Sequence, residues 1–120
     1  MLLSNAFWSV FWALIEEANG SEEKLKALLA SEPRDIIIAF QKQFWRAMSN
    51  LEEIKCGNAA SEDYRSDVFA LIVSKGRKYY DEIVTHPERV PDDIDPHGPF
   101  FLHVAAEVLM EKCGEEITDQ

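Results

Sequence analysis

The residues here whose types suit chemistry are three histidines (His86, His97, His103), two cysteines (Cys56, Cys113) and several adjacent carboxylate pairs. Histidine and thiolate together suggest a metal. The spacings that converge such ligands are C-x-x-C, H-E-x-x-H or paired E-x-x-H repeats, and none of them occurs. His103 and Glu107 share a helix face at i,i+4, a spacing that serves a surface pair as well as a ligand pair.

The segment Asp93-Ile94-Asp95-Pro96-His97-Gly98 opens like a calcium loop. Such a loop needs a bidentate Glu at its twelfth position, which here is Val104, and Pro96 interrupts the ligand section. No metal and no cofactor is expected. Nucleophilic catalysis lacks a G-x-S-x-G turn and any Gly-rich phosphate loop. Cys56 precedes Gly57 in a loop and would be a reactive thiol only beside a histidine. The carboxylate pairs are Glu16-Glu17, Glu52-Glu53, Glu62-Asp63, Asp81-Glu82 and Asp92-Asp93. Neighbours on a helix diverge by about 100°, so these do not form convergent acid–base pairs. The sequence therefore points away from an enzyme.

The elements that would position these residues are helices. With 120 residues, 47% hydrophobic and including seven Phe, three Trp and three Tyr, the chain suits one domain with its own core. We assign 1–120 to a single helical unit with a polar tail over 115–120. Two distant cysteines do not make a disulfide framework, so reduced thiols and a cytoplasmic location are expected, with a single Cys56–Cys113 bridge as the alternative. The apolar run Leu2 to Ile15 has no Lys or Arg, and Glu16-Glu17 follow where a cleavage site would sit. It is also shorter than the roughly 20 residues that span a bilayer. It reads as a buried helix, with no membrane partner.

Apolar residues recur at helical spacing throughout. The first helix is predicted over Asn5 to Ala18, with Trp8, Phe11, Trp12 and Ile15 on one stripe and Phe7, Val10 and Leu14 on a second. Two apolar faces predict a central helix. Ser21 caps a short second helix carrying Leu25, Leu28 and Leu29. A third starts near Pro33 and carries Ile37, Phe40, Phe44, Met48 and Leu51. Lys55 to Ala60 is a loop. Ser61 caps a fourth helix to Lys75, with Tyr64, Val68, Leu71 and Ile72 as its stripe and Gly76 as its stop. A fifth carries Tyr79, Tyr80, Ile83 and Val84 and ends before Pro87. His86 to Gly98 is irregular. Pro99 opens a last helix with Phe101 or Leu102, Ala105, Val108 and Leu109 inward, closed by Gly114. The fold class is all-α, an irregular bundle of five or six helices around one aromatic-rich core.

The stretch Phe11-Trp12-Ala13-Leu14-Ile15-Glu16-Glu17-Ala18 resembles the FWxLIxEA opening of a bacterial all-helical family catalogued as a domain of unknown function. A second hallmark of that family reads approximately SDDxFxxFRxWLIxxGxxxYxxxxxxPD. Here Ser61-Glu62-Asp63, Ser74-Lys75-Gly76-Arg77, Tyr80 and His86-Pro87-Glu88 fall at matching spacing. Arg65 and Val68 stand at the two Phe positions, Phe69 at the Arg and Leu71 at the Trp. The resemblance implies an all-α fold and a bacterial origin, and it implies no activity.

Charge is the remaining signal. The net charge is −10, and residues 1–60 hold 6 basic and 8 acidic side chains against 6 and 14 in residues 61–120. Phosphate contacts need clustered Lys and Arg, and only Lys75, Arg77 and Lys78 cluster, so nucleic acid is not an expected partner. An acidic field instead steers basic proteins. The leading expectation is a non-enzymatic acidic protein-binding module, an immunity or antitoxin-like protein masking a basic effector. Its candidate partner-binding residues are Asp92, Asp93, Asp95, Glu111, Glu115 and Glu116. Two alternatives stay open. One is a small-molecule or enzymatic pocket between helices using His86, His97 or His103. The other is a structural homo-oligomer, such as a homodimer through the first helix.

Overall fold

The computed structural model describes residues 5–53, 62–89 and 101–116. They form six α-helices and one 3₁₀ turn, with no strand among the described residues: α1 Asn5–Ala18, α2 Glu22–Ala30, α3 Arg34–Glu53, α4 Glu62–Ser74, α5 Arg77–Thr85, the turn Pro87–Arg89, and α6 Val104–Cys113. The all-α expectation holds. The expectations for Lys55 to Ala60, the Ser61 cap and the stretch from Val90 to Pro99 lie outside the described residues.

Local chemistry explains most helix ends. Ser21 is extended, and its Oγ accepts from Lys24 N at 3.1 Å, satisfying one orphan amide of α2, while Glu22 and Glu23 occupy the first turn. Pro33 has no N–H to lose and serves α3 as the first acceptor, taking Ile36 N at 3.0 Å and Ile37 N at 3.1 Å. Gly114 closes α6 in the left-handed conformation at φ 67°, its N–H returning to Met110 O.

Four sequence expectations need correction or extension. The first helix is not central. α1 packs chiefly on α2, less on α3, and reaches α5 through the Trp8, Trp12 and Tyr80 rings, and its Val10 is 45% exposed. The hub is α3, which packs on α1, α2, α4 and α6. Secondly, α4 has no one-sided stripe: Val68, Phe69, Ala70, Leu71, Ile72, Val73 and Ser74 are all buried. This end of α4 is enclosed by α3, α5 and the Phe101 segment, so every face is covered. Tyr64 lies outside the described side chains. Thirdly, Gly76 is more than a stop, because it is also the N-cap of α5. Fourthly, α6 begins at Val104 and not at Pro99. Phe101 is buried, its N–H is taken by Ser74 Oγ at 2.9 Å, and its carbonyl accepts Val104 N at 3.2 Å, which makes a turn where a helix was expected.

The core is continuous from α1 to α6. Phe11 lies 4.9 Å from both Trp12 and Phe40, ring centre to ring centre, and 6.2 Å from Phe44. Trp12 reaches Tyr80 of α5 at 5.1 Å, and Tyr80 donates its hydroxyl to Ala47 O at 3.2 Å. Such ring pairs add about 0.5–1.5 kcal/mol each beyond burial. Leu25, Leu29, Ile37, Phe40, Phe44 and Leu51 are buried as the periodicity predicts. Leu28, Met48 and Trp8 are half-buried and pack on the core from its rim.

Candidate functional site

Helix α6 buries Val104, Ala105, Val108 and Leu109 against α2 and α3. Its about 3.6-residue period then places Glu107 and Glu111 one turn apart on the edge facing α2. Lys26 of α2 sits between them, its Nζ 3.5 Å from Glu107 Oε2 and 3.5 Å from Glu111 Oε1. The field of Glu111 and the contact with Glu107 raise the lysine pKa above its ordinary value. The carboxylates stay in water: their side chains are 57% and 69% exposed. Exposed pairs of this length are screened and exchange readily.

Just past α6, Glu115 Oε2 accepts from Arg34 Nε at 2.7 Å, and Arg34 also lies 3.4 Å from Asp35. Glu115 raises the arginine pKa further, through its hydrogen bond first and its charge second. Between these pairs, Lys112 donates from Nζ to Ala30 O at 3.0 Å, an orphan carbonyl at the end of α2, and to Glu32 O at 2.7 Å in the α2–α3 connection. The two helices thus meet along an edge of alternating charge. A shallow groove of about 410 Å³ runs along it, lined by Lys26, Ala27, Ala30, Val108, Glu111 and Lys112.

Of the residues singled out in the sequence, Glu111 comes to this edge and Glu115 to its end, and Glu116 is exposed. Asp92, Asp93 and Asp95 lie outside the described residues. Glu107 belongs to the acidic charge of the last helix in the sequence, at a four-residue step from Glu111, but was not among the candidate partner-binding residues. Sequence reasoning missed Lys26, Arg34 and Lys112, and no local pattern signals contacts made across about 80 residues.

A family model described as "Protein of unknown function (DUF4240)" matches residues 5–112. The chain belongs to that family. No curated protein and no solved structure matches the chain. Four of the residues that carried the resemblance to a family of this kind have structural places. Phe11, Trp12 and Tyr80 are core rings, and Gly76 holds φ 107° and ψ 172° at the α4–α5 junction. Val68, Phe69 and Leu71, which depart from the motif, are buried as well.

The other chemical candidates are dispersed. His86 is half-buried, with Nδ1 3.5 Å from Glu88 Oε2, and His103 is exposed at the N-cap of α6. His97 and Cys56 lie outside the described residues. Cys113 is a free, exposed thiol. Among the described residues no group of three or more His, Cys, Asp or Glu is placed to hold a metal ion, and no helix is long and apolar enough to cross a membrane. In the basic cluster, Lys75 lies over the Tyr79 ring at 4.9 Å and Arg77 pairs with Asp81 at 3.5 Å. Glu82 receives Arg89 at 2.9 Å, so the Asp81-Glu82 pair is split between two cations.

Proposed function

We propose that this chain is a non-enzymatic protein-binding module that receives a basic partner on its acidic C-terminal half. In concrete form it is an immunity or antitoxin-like protein of a bacterium, masking a basic effector such as a nuclease toxin. The observation that carries the reading is the uneven charge: 14 acidic against 6 basic side chains in residues 61–120. Its support in the fold is Glu107 and Glu111 on one helix edge, with Glu115 held just past the helix end by Arg34 and Glu116 exposed beside it in the chain. Lys26 and Arg34 partly neutralise these carboxylates, but from exposed positions where a partner's cations compete. Long-range attraction by the chain's −10 charge brings such a partner into contact.

The test uses the tagged chain on lysate of its source organism, read by mass spectrometry at low and high salt. One dominant basic protein, held at low salt and released at high salt, is the expected result. Two charge-reversed chains then locate the surface, one carrying Glu111→Lys, Glu115→Lys and Glu116→Lys, the other Asp92→Lys, Asp93→Lys and Asp95→Lys. If both retain the captured protein at low salt as well as the parent does, the acidic half is not its interface.

A further inference from the structure

The groove between α2 and α6 has a floor unlike its rim. Where Leu25 and Leu29 of α2 turn into the core, Ala27 and Ala30 face outward and leave a trough beside Val108. Val108 is 3% exposed, so the trough is closed beneath by the core. Its volume of about 410 Å³ admits an aliphatic side chain. One wall carries Glu111, and Glu107 stands a helical turn before it on α6, paired with the lining Lys26. At one end the Lys112 ammonium is occupied by the carbonyls of Ala30 and Glu32. Lys26 is the only one of the groove's two lining lysines that neutralises the wall, and it does so at 3.5 Å from each carboxylate.

We infer that this groove seats an apolar side chain of a basic amphipathic helix in the partner, whose flanking Lys or Arg residues replace Lys26 on Glu107 and Glu111. The inference rests on the reading of the acidic half as the partner-binding surface. Charge selects the occupant. A second copy of this chain, also at −10, is repelled, whereas a cationic segment is attracted. Geometry selects its form. Carboxylates one turn apart match cations at i and i+4 on a facing helix, and an apolar residue at i+3, on the adjoining stripe of the same face, reaches the trough.

The experiment titrates the full chain at low salt with two synthetic helical peptides of equal positive charge, followed by fluorescence anisotropy. One peptide carries Leu at its apolar positions and the other carries Gln there. The Leu peptide is expected to bind about tenfold more tightly. Ala27→Gln, which covers the trough without changing charge, abolishes that advantage and leaves the Gln peptide's affinity unchanged. The same titration on the parent chain shifts the methyl resonances of Ala27, Ala30 and Val108 with the Leu peptide only, a readout that needs no variant. Equal affinity for the two peptides, or an advantage that survives Ala27→Gln with unmoved methyls, overturns the groove and leaves the acidic surface standing. Failure of both peptides to bind at low salt overturns both readings.

Discussion

Lys112 of α6 donates from its ammonium to the backbone carbonyl of Ala30 at 3.0 Å, closing the end of α2 from 82 residues away, and to that of Glu32 just beyond it at 2.7 Å. A cation at a helix C-terminus meets both the orphan carbonyls and the negative end of the dipole. The contact therefore joins α6 to the α2–α3 corner as well as capping a helix. Lys112→Met keeps the apolar stem and removes the donor. It is expected to cost about 1 kcal/mol, or about 3–4 °C in Tm, by thermal denaturation. An unchanged Tm would show that water replaces the ammonium there at no cost.

Ser74 ties two segments that the sequence treats separately. Its Oγ donates to Ala70 O at 2.7 Å and accepts from Phe101 N at 2.9 Å, all within the buried interior. Ser74→Ala leaves the Phe101 N–H buried without a partner, which costs about 1–3 kcal/mol. Urea denaturation is the measurement, with a lowered midpoint and an unchanged slope expected. Stability equal to the parent would mean that the Phe101 amide reaches another acceptor.

Gly76 has φ 107° and ψ 172°, a region open essentially to glycine alone. A Cβ built there would lie 3.7 Å from Glu16 Cγ, an ordinary contact, so space is not the obstacle. Gly76→Ala should still cost about 1–3 kcal/mol, all of it backbone strain. Removing the neighbour as well, in a Gly76→Ala, Glu16→Ala double variant, should recover none of that loss. Recovery would assign the cost to crowding.

The chain should lose stability at alkaline pH in two steps of the same sign. Burial, with a smaller contribution from Glu82, raises the Tyr79 pKa, so the folded state holds that proton longer than the unfolded chain does. The Glu111 and Glu107 carboxylates raise Lys26 likewise. A group raised in the folded state contributes fully below its unfolded pKa and loses that contribution as pH climbs through the folded one. The decline should start near pH 10, the ordinary range of Tyr and Lys. Lys26→Met should flatten its salt-dependent part, because that pair is exposed to screening ions. Denaturation midpoints between pH 8 and 11, at low and high salt, check both statements, and a rise of stability across that range would contradict them.

What the sequence alone determined is what depends on a few neighbouring residues. Ser21 capping α2, Pro33 opening α3, Gly114 closing α6 and the burial of Ile37, Phe40, Phe44 and Leu51 follow from side chains within about one turn of each other. The all-α class follows from the same period. What the tertiary structure decided depends on residues far apart in the chain. Phe101 is pinned in the core by Ser74, 27 residues earlier, which takes its N–H, and a turn from Phe101 to Val104 stands where the helical period ran on. α4 is buried on every side at its C-terminal half because other segments close over it, which no property of its own residues dictates. The acidic row was legible as a four-residue step. Its pairing with Lys26 and Arg34, and the groove between α2 and α6, arise only when helices separated by some 80 residues pack, because charge and volume act through space and periodicity acts along the chain.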